Sequence, residues 1–103
     1  MDQREALEKA ARFAHLARGA IAIDAAVLFG SHATGKADEC SDVDVGLFVD
    51  RLDAETDYLL LLKELYGLAA GVDVHIEPHL FVRSEDQSGL GAQVEREGIR
   101  IEA

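Results

Sequence analysis

Gly30-Ser31-His32-Ala33-Thr34-Gly35-Lys36-Ala37-Asp38-Glu39-Cys40-Ser41-Asp42-Val43-Asp44 joins two apolar runs of very different pattern. Upstream, Ile21 to Phe29 is rich in Ile and Val, is interrupted by Asp24 and stops abruptly at Gly30-Ser31. Its second half predicts a buried strand. Downstream, Asp42 to Val49 alternates: Val43, Val45, Leu47 and Val49 point one way, while Asp42, Asp44 and Gly46 point the other. That is a strand with one apolar face. The segment therefore reads as strand, tight turn, polar loop, strand.

Taken singly, Gly-Ser at a strand end is an ordinary turn, and Asp-x-Asp is a solvated strand face. Together they make a constellation. Asp42 and Asp44, two apart on a strand, project their carboxylates from one face, close enough to share divalent cations. Two like charges so placed repel, and bound Mg²⁺ is the natural compensation. Asp73 repeats the logic on a second alternating run, Val72 to Glu77, and would join them if the two strands are neighbours. Three such carboxylates can hold two Mg²⁺ about 4 Å apart, the clamp of phosphoryl and nucleotidyl transfer. Gly30 and Ser31 offer a closely approachable backbone, free N–H groups and a hydroxyl for a phosphate tail, with Lys36 as a further candidate.

Working outward, Asp2 to Arg18 predicts an amphipathic helix with Leu7, Ala10, Ala11, Ala14 and Ala17 on one stripe and Gly19 ending it. Asp53 is the expected cap of a second helix running through Leu68. In the Val72 to Glu77 strand, Val72, Val74 and Ile76 form the apolar face, and Pro78 is its expected end. Beyond it lie an apolar patch at Leu80 to Val82, a helix from about Asp86 to Glu97, and a short strand at Ile99 to Ile101.

A chain of 103 residues accommodates one domain, residues 1–103. Its net charge of −10 opposes non-specific nucleic-acid binding and anionic membranes, so an anionic ligand needs a metal ion or a local basic group. Basic protein partners suit it. Cys40 is the one cysteine and excludes an internal disulfide, and the apolar runs fall far short of the roughly 20 residues of a membrane span. A soluble, cytoplasmic chain is expected. His75, on the same expected face as Asp73, is a candidate proton carrier, while His15, His32 and His79 read as surface or hydrogen-bonded structure. Cys40, among acidic neighbours, is not expected to act as a nucleophile.

The segments VLFGS, SDVDVGLFV and VDVHIE resemble the signature of the polymerase-beta-like nucleotidyltransferases, and within them the minimal, or MNT, type. The resemblance spans almost the whole chain, including the closing EREGIRIE. It implies an α/β (α+β) fold, a mixed twisted sheet with helices packed on one side. It implies transfer of a nucleoside monophosphate, AMP from ATP, with Asp42, Asp44 and Asp73 holding Mg²⁺ and acting in catalysis, and Gly30, Ser31 and Lys36 on the phosphates. By the same resemblance the chain is an antitoxin that adenylylates a tyrosine of a small helical HEPN-type partner. The alternatives are a non-catalytic nucleotide-binding or antitoxin subunit that neutralises its partner by contact, and a small acidic α/β domain whose aspartates are merely solvated; the helix faces suit a chain acting alone, a homodimer or a complex with a helical partner equally. One departure bears on the choice: where family members often carry Arg after Gly-Ser and again two residues later, this chain has His32 and Thr34.

Overall fold

In the computed structural model, which describes residues 1–101, the chain runs α1 (Gln3–Ala17), β1 (Ala25–Phe29), a single turn α2 (Ser31–Thr34) and β2 (Val43–Val49). It continues with α3 (Tyr58–Val72), β3 (Ile76–Val82), α4 (Leu90–Glu97) and β4 (Ile99–Arg100), with a 3-10 turn at Arg83–Glu85. The strands form one mixed sheet in the order β3-β2-β1-β4. β1 is antiparallel to both β2 and β4, whereas β3 runs parallel to β2. The mixed α/β sheet expected from the sequence is present.

The predicted first helix and first two strands agree with the structure to within a few residues. Asp2 caps α1 by accepting from the Glu5 N–H at 2.8 Å. Ala6, Ala10, Phe13, Ala14 and Ala17 make its buried stripe, and four of the five are small enough to let the helix lie close on the sheet. They meet Ala26 and Leu28 of β1, Val43, Val45 and Leu47 of β2, and Leu61, Leu65 and Ala69 of α3 in one core. Burying a side chain such as Leu28, Phe13 or Leu47 completely contributes about 1.5–3 kcal/mol each. α1 and α3 cover this face, as the helices-on-one-side picture requires, but α4 lies on the opposite face, where Val94 packs on Ala25, Val27 and Phe48.

The second half of the chain is displaced from its sequence-based reading. Asp53 does not cap α3. It closes a turn, its carboxylate accepting from Glu55 N–H at 3.0 Å and its carbonyl from Thr56 N–H at 2.9 Å. Asp57 is the cap, accepting from Leu60 N–H at 3.1 Å. The helix then runs on to Val72, through Gly67 and Gly71, and the Asp73 N–H closes it on the Ala69 carbonyl at 2.9 Å.

That extension consumes the residues assigned to the next strand. β3 begins at Ile76, and Pro78, expected to end a strand, lies inside one. The sheet order explains how this is tolerated, since β3 is an edge strand. His75 gives its carbonyl to Val43 N–H at 2.8 Å, so by the alternation of a parallel ladder the even-numbered residues of β3 turn their backbone groups outward. The missing N–H of Pro78 therefore falls on the open side. The Leu80 to Val82 patch is the end of the same strand.

The last helix also starts later than expected, at Leu90, after Gly89 in a left-handed conformation with φ +77°. Asp86 still acts on its N-terminus, accepting from Gly91 and Ala92 N–H groups at 2.9 Å each. No helix among the described residues is long and apolar enough to cross a membrane.

Candidate active site

Asp44 is the centre of the polar half of the sheet face that α4 leaves uncovered. Its backbone pairs with Phe29 of β1 on one side and Glu77 of β3 on the other. Its carboxylate contacts His79 Nε2 at 3.0 Å, and the His79 ring stands edge-on to Phe29 with centroids 4.9 Å apart. Asp44, Glu77 and His79 each offer a ligand atom within 4.8 Å of the others, and no other such group of potential metal ligands occurs among the described residues.

The remaining half of this face is apolar. Phe48 and Phe81 stack with centroids 4.9 Å apart, and Gly46 makes room, since a β-carbon there would approach both rings at 3.1 Å. The sheet thus carries carboxylates at its open end and, where α4 covers it, a buried aromatic cluster at the other.

Gly30 closes the turn below Asp44. Its backbone, at φ +76° and ψ −154°, occupies a region essentially reserved for glycine, and a β-carbon there would overlap the Asp44 carboxylate. Ser31 opens α2, whose own first bonds run from Ala33 and Thr34 N–H to the Gly30 carbonyl, leaving the Ser31 and His32 amides outside that turn's pattern. Lys36 lies exposed just past the turn, its N–H on the Ser31 carbonyl at 3.0 Å. His32 and Thr34, in the places where the resembled family often carries arginine, are both turned to structure. His32 is buried at 2% exposure with its Nε2 unpartnered, and its carbonyl is held by Gln3 at 2.9 Å. The Thr34 hydroxyl bonds the Ser31 carbonyl at 3.3 Å.

Asp42 stands exposed one residue before β2, at the end of a loop fastened by Asp38, whose carboxylate accepts from Cys40 N–H at 2.9 Å and the Ser41 hydroxyl at 3.2 Å. Asp42 and Glu77 line a common cleft with His75 and Tyr66. Cys40 is exposed.

Asp73 does not lie on a strand beside Asp42 and Asp44, and the expected cluster of these three carboxylates does not form. Asp73 terminates α3 and is fully engaged there, with Lys9 Nζ at 2.5 Å and with the N–H and Nδ1 of His75 at 2.8 Å each. The Lys9 ammonium first, and the His75 N–H next, hold its carboxyl well below the usual carboxylate range. Glu77, four residues on, takes the neighbouring position on the sheet. Because a strand alternates with period two, a four-residue displacement keeps the same face, which is why Asp73 and Glu77 are indistinguishable by pattern. His79, which the sequence pattern assigns to structure, also lies in this group of potential ligands. Its signal in the sequence is its parity with Glu77, which a proline between them conceals.

The donor set fits a divalent cation. Two carboxylates beside each other, with Asp42 at the strand's entry, suit a hard cation such as Mg²⁺, while the His79 imidazole also suits Mn²⁺ or Zn²⁺. The glycine cradle that only an absent β-carbon permits is what keeps the Asp44 carboxylate accessible from β1.

Comparison with curated proteins gives no significant match. The profile of one family, described as "Polymerase beta, Nucleotidyltransferase", matches residues 13–102, a span that runs from the first helix through the Gly-Ser turn, Asp42, Asp44 and Glu77 to the end of the sheet. With that match covering most of its length, the chain belongs to the polymerase beta nucleotidyltransferase family.

Proposed function

We propose that this chain transfers a nucleoside monophosphate, AMP from ATP, to a hydroxyl acceptor, with Mg²⁺ held by Asp42, Asp44 and Glu77. The observation that carries the reading is the register Asp44↔Glu77 on adjacent parallel strands, with Gly30 packed directly against the Asp44 carboxylate. Bound Mg²⁺ would neutralise charge developing on the phosphates. The chain's own residues do the positioning. Gly30 and Ser31 receive the β- and γ-phosphates on backbone amides and the serine hydroxyl, and Lys36 adds the one cation of that loop. The carboxylate face orients the acceptor hydroxyl and takes up its proton. Asp73 acts in this reading through its hold on His75 at the rim of the site.

The acceptor we favour is a tyrosine on a small helical protein of the HEPN type, modified in the cytoplasm by this chain as antitoxin. The MNT-like sequence pattern supports it, and the cleft beside β3, lined by Asp42 and Glu77, gives an acceptor side chain a place beside the carboxylates.

A second reading, a subunit that binds nucleotide or partner without turnover, is favoured by one observation. His32 is buried and Thr34 is bonded to its own turn, so neither supplies the phosphate contacts that arginines would. One experiment separates the two. The protein is incubated with Mg²⁺, α-labelled ATP and a candidate helical partner, with Asp42→Asn/Asp44→Asn as control. Label on the partner that disappears in the double variant supports transfer. A stable complex without label supports the binding subunit.

A further inference from the structure

We propose that the acceptor enters over β3, through the cleft between the start of that strand and the C-terminal half of α3, and that it is a hydroxyl on a partly apolar, neutral or basic protein segment. The inference rests on the nucleotidyl-transfer reading and adds a direction and a chemistry to it.

The direction follows from strand order. β2, carrying Asp44, lies between β1, which ends just before Gly30, and β3, which carries Glu77. In an in-line displacement the incoming and leaving oxygens stand on opposite sides of the phosphorus. The acceptor oxygen bonds the α-phosphorus as the bond from phosphorus to the bridging oxygen breaks. The electron pair departs with pyrophosphate, and the hydroxyl proton passes to the carboxylate face and solvent. With the phosphate tail toward Gly30 and Ser31, pyrophosphate leaves on the β1 side and the acceptor arrives on the β3 side.

On that side there is a cleft of about 340 Å³. Asp42 and Glu77 are among its lining residues, so it shares two carboxylates with the proposed cation site. Tyr66, Ala70 and Val74 make its wall, and Val74 is 81% and Tyr66 45% exposed. The neighbouring α3 positions Gly67 and Gly71 open onto free space. An aromatic ring and an apolar side chain left in water beside a reaction site favour a ligand with an apolar body.

Charge narrows the class further. The cleft is lined by two carboxylates and by no Lys or Arg, in a chain of net charge −10. A nucleic-acid 3′ end brings its own phosphates into that field and is repelled, while a segment with Lys or Arg beside its hydroxyl residue is drawn in.

The test uses the full chain with Mg²⁺ and a non-hydrolysable ATP analogue, and three probes: a short peptide with Leu-Tyr flanked by lysines, the same core flanked by glutamates, and a single-stranded oligonucleotide with a free 3′-hydroxyl. Binding is followed by chemical shifts of assigned backbone amides. We expect the lysine peptide to bind at least about tenfold more tightly than either other probe, to shift Tyr66, Ala70, Val74 and His75, and to lose about tenfold or more in affinity on Val74→Arg. Val74→Arg is expected to leave nucleotide-analogue binding unchanged, as Val74 is solvent-exposed and lines the β3 cleft, whose lining does not include Gly30, Ser31 or Lys36. Equal binding of the acidic peptide or the oligonucleotide, shifts elsewhere, no effect of Val74→Arg, or no peptide binding would each overturn the proposal. Failure of the underlying reading looks different: the Mg²⁺-dependent nucleotide analogue does not bind, whatever the peptides do.

Discussion

The Asp44 carboxylate occupies the space that a β-carbon on Gly30 would require, so the turn after β1 and the acidic strand β2 are fitted to each other atom to atom. Gly30 and Gly35 share nearly the same positive φ, +76° and +77°, yet nothing lies within 4 Å of a β-carbon at Gly35. The pair therefore separates backbone strain from displacement of Asp44. Gly35→Ala is expected to cost about 1 kcal/mol, and Gly30→Ala about 2–4 kcal/mol together with loss of Mg²⁺-dependent nucleotide binding. Denaturant unfolding and nucleotide titration of both variants check this, and equal losses would count against the fitted turn.

Glu77→Gln removes the carboxylate opposite Asp44, whereas Asp73→Asn leaves the Asp44, Glu77 and His79 group intact. Label transfer from ATP is expected to fall by about a hundredfold or more in Glu77→Gln and Asp44→Asn, and by far less in Asp73→Asn. Steady-state rates at saturating Mg²⁺ decide it. The opposite ranking of Glu77→Gln and Asp73→Asn would return the third carboxylate to Asp73.

These two positions also mark where the sequence stops being legible. The Gly-Ser turn, Asp42, Asp44 and the alternation of β2 were readable because strand parity and turn chemistry act over a few residues. Which carboxylate lies opposite Asp44 on the next strand was not, because it depends on where α3 ends. Asp53 and Asp57 both offer capping chemistry, and choosing the earlier one moves both ends of α3 and the start of the strand after it by about a turn, although the end of α4 at Glu97 and the start of β4 at Ile99 fall where expected. Pro78 then hid β3, since a proline's meaning depends on whether its strand is central or at an edge, a property of sheet order. The burial of His32 was equally out of reach, because Gln3 and α2 meet only in three dimensions.

Asp73 gives a pH signature. Its carboxyl is lowered by Lys9 and His75, so its contribution to stability is complete above the unfolded-state value of about 4 and is lost as pH falls through the folded one. Asp73→Asn is expected to be less stable than the parent by about 1–3 kcal/mol at pH 7, a gap that narrows as pH falls from about 5 toward 2. Thermal unfolding across that range measures it, and a gap independent of pH would show that the carboxylate's charge is not what matters.

Arg83 ties together the beginning of β1, the end of β2 and α4. Its guanidinium pairs with Asp24 at 2.5 Å, Asp50 at 2.9 Å and both oxygens of Glu95, and lies 5.7 Å from the Phe48 ring centre. Asp24 and Asp50 are largely exposed, so the half-buried Glu95 pair carries most of the effect. Arg83→Ala is expected to destabilise by about 2–3 kcal/mol, and Arg83→Lys to recover less than half, because an ammonium cannot bridge Glu95 with two parallel bonds. Urea unfolding at low and high salt tests both, and full rescue by lysine would reduce the role of Arg83 to charge alone.

Pro78 has a further consequence, for life in a crowded solution. An outer strand offers a ladder of vacant backbone groups to any other chain, the usual seed of intermolecular sheet growth. Here one flank carries, at its third residue, a proline with no amide hydrogen, and the other ends in a strand two residues long. Both flanks are poor templates, so encounters with other proteins are channelled away from the main chain and onto side-chain surfaces, where recognition can be selective.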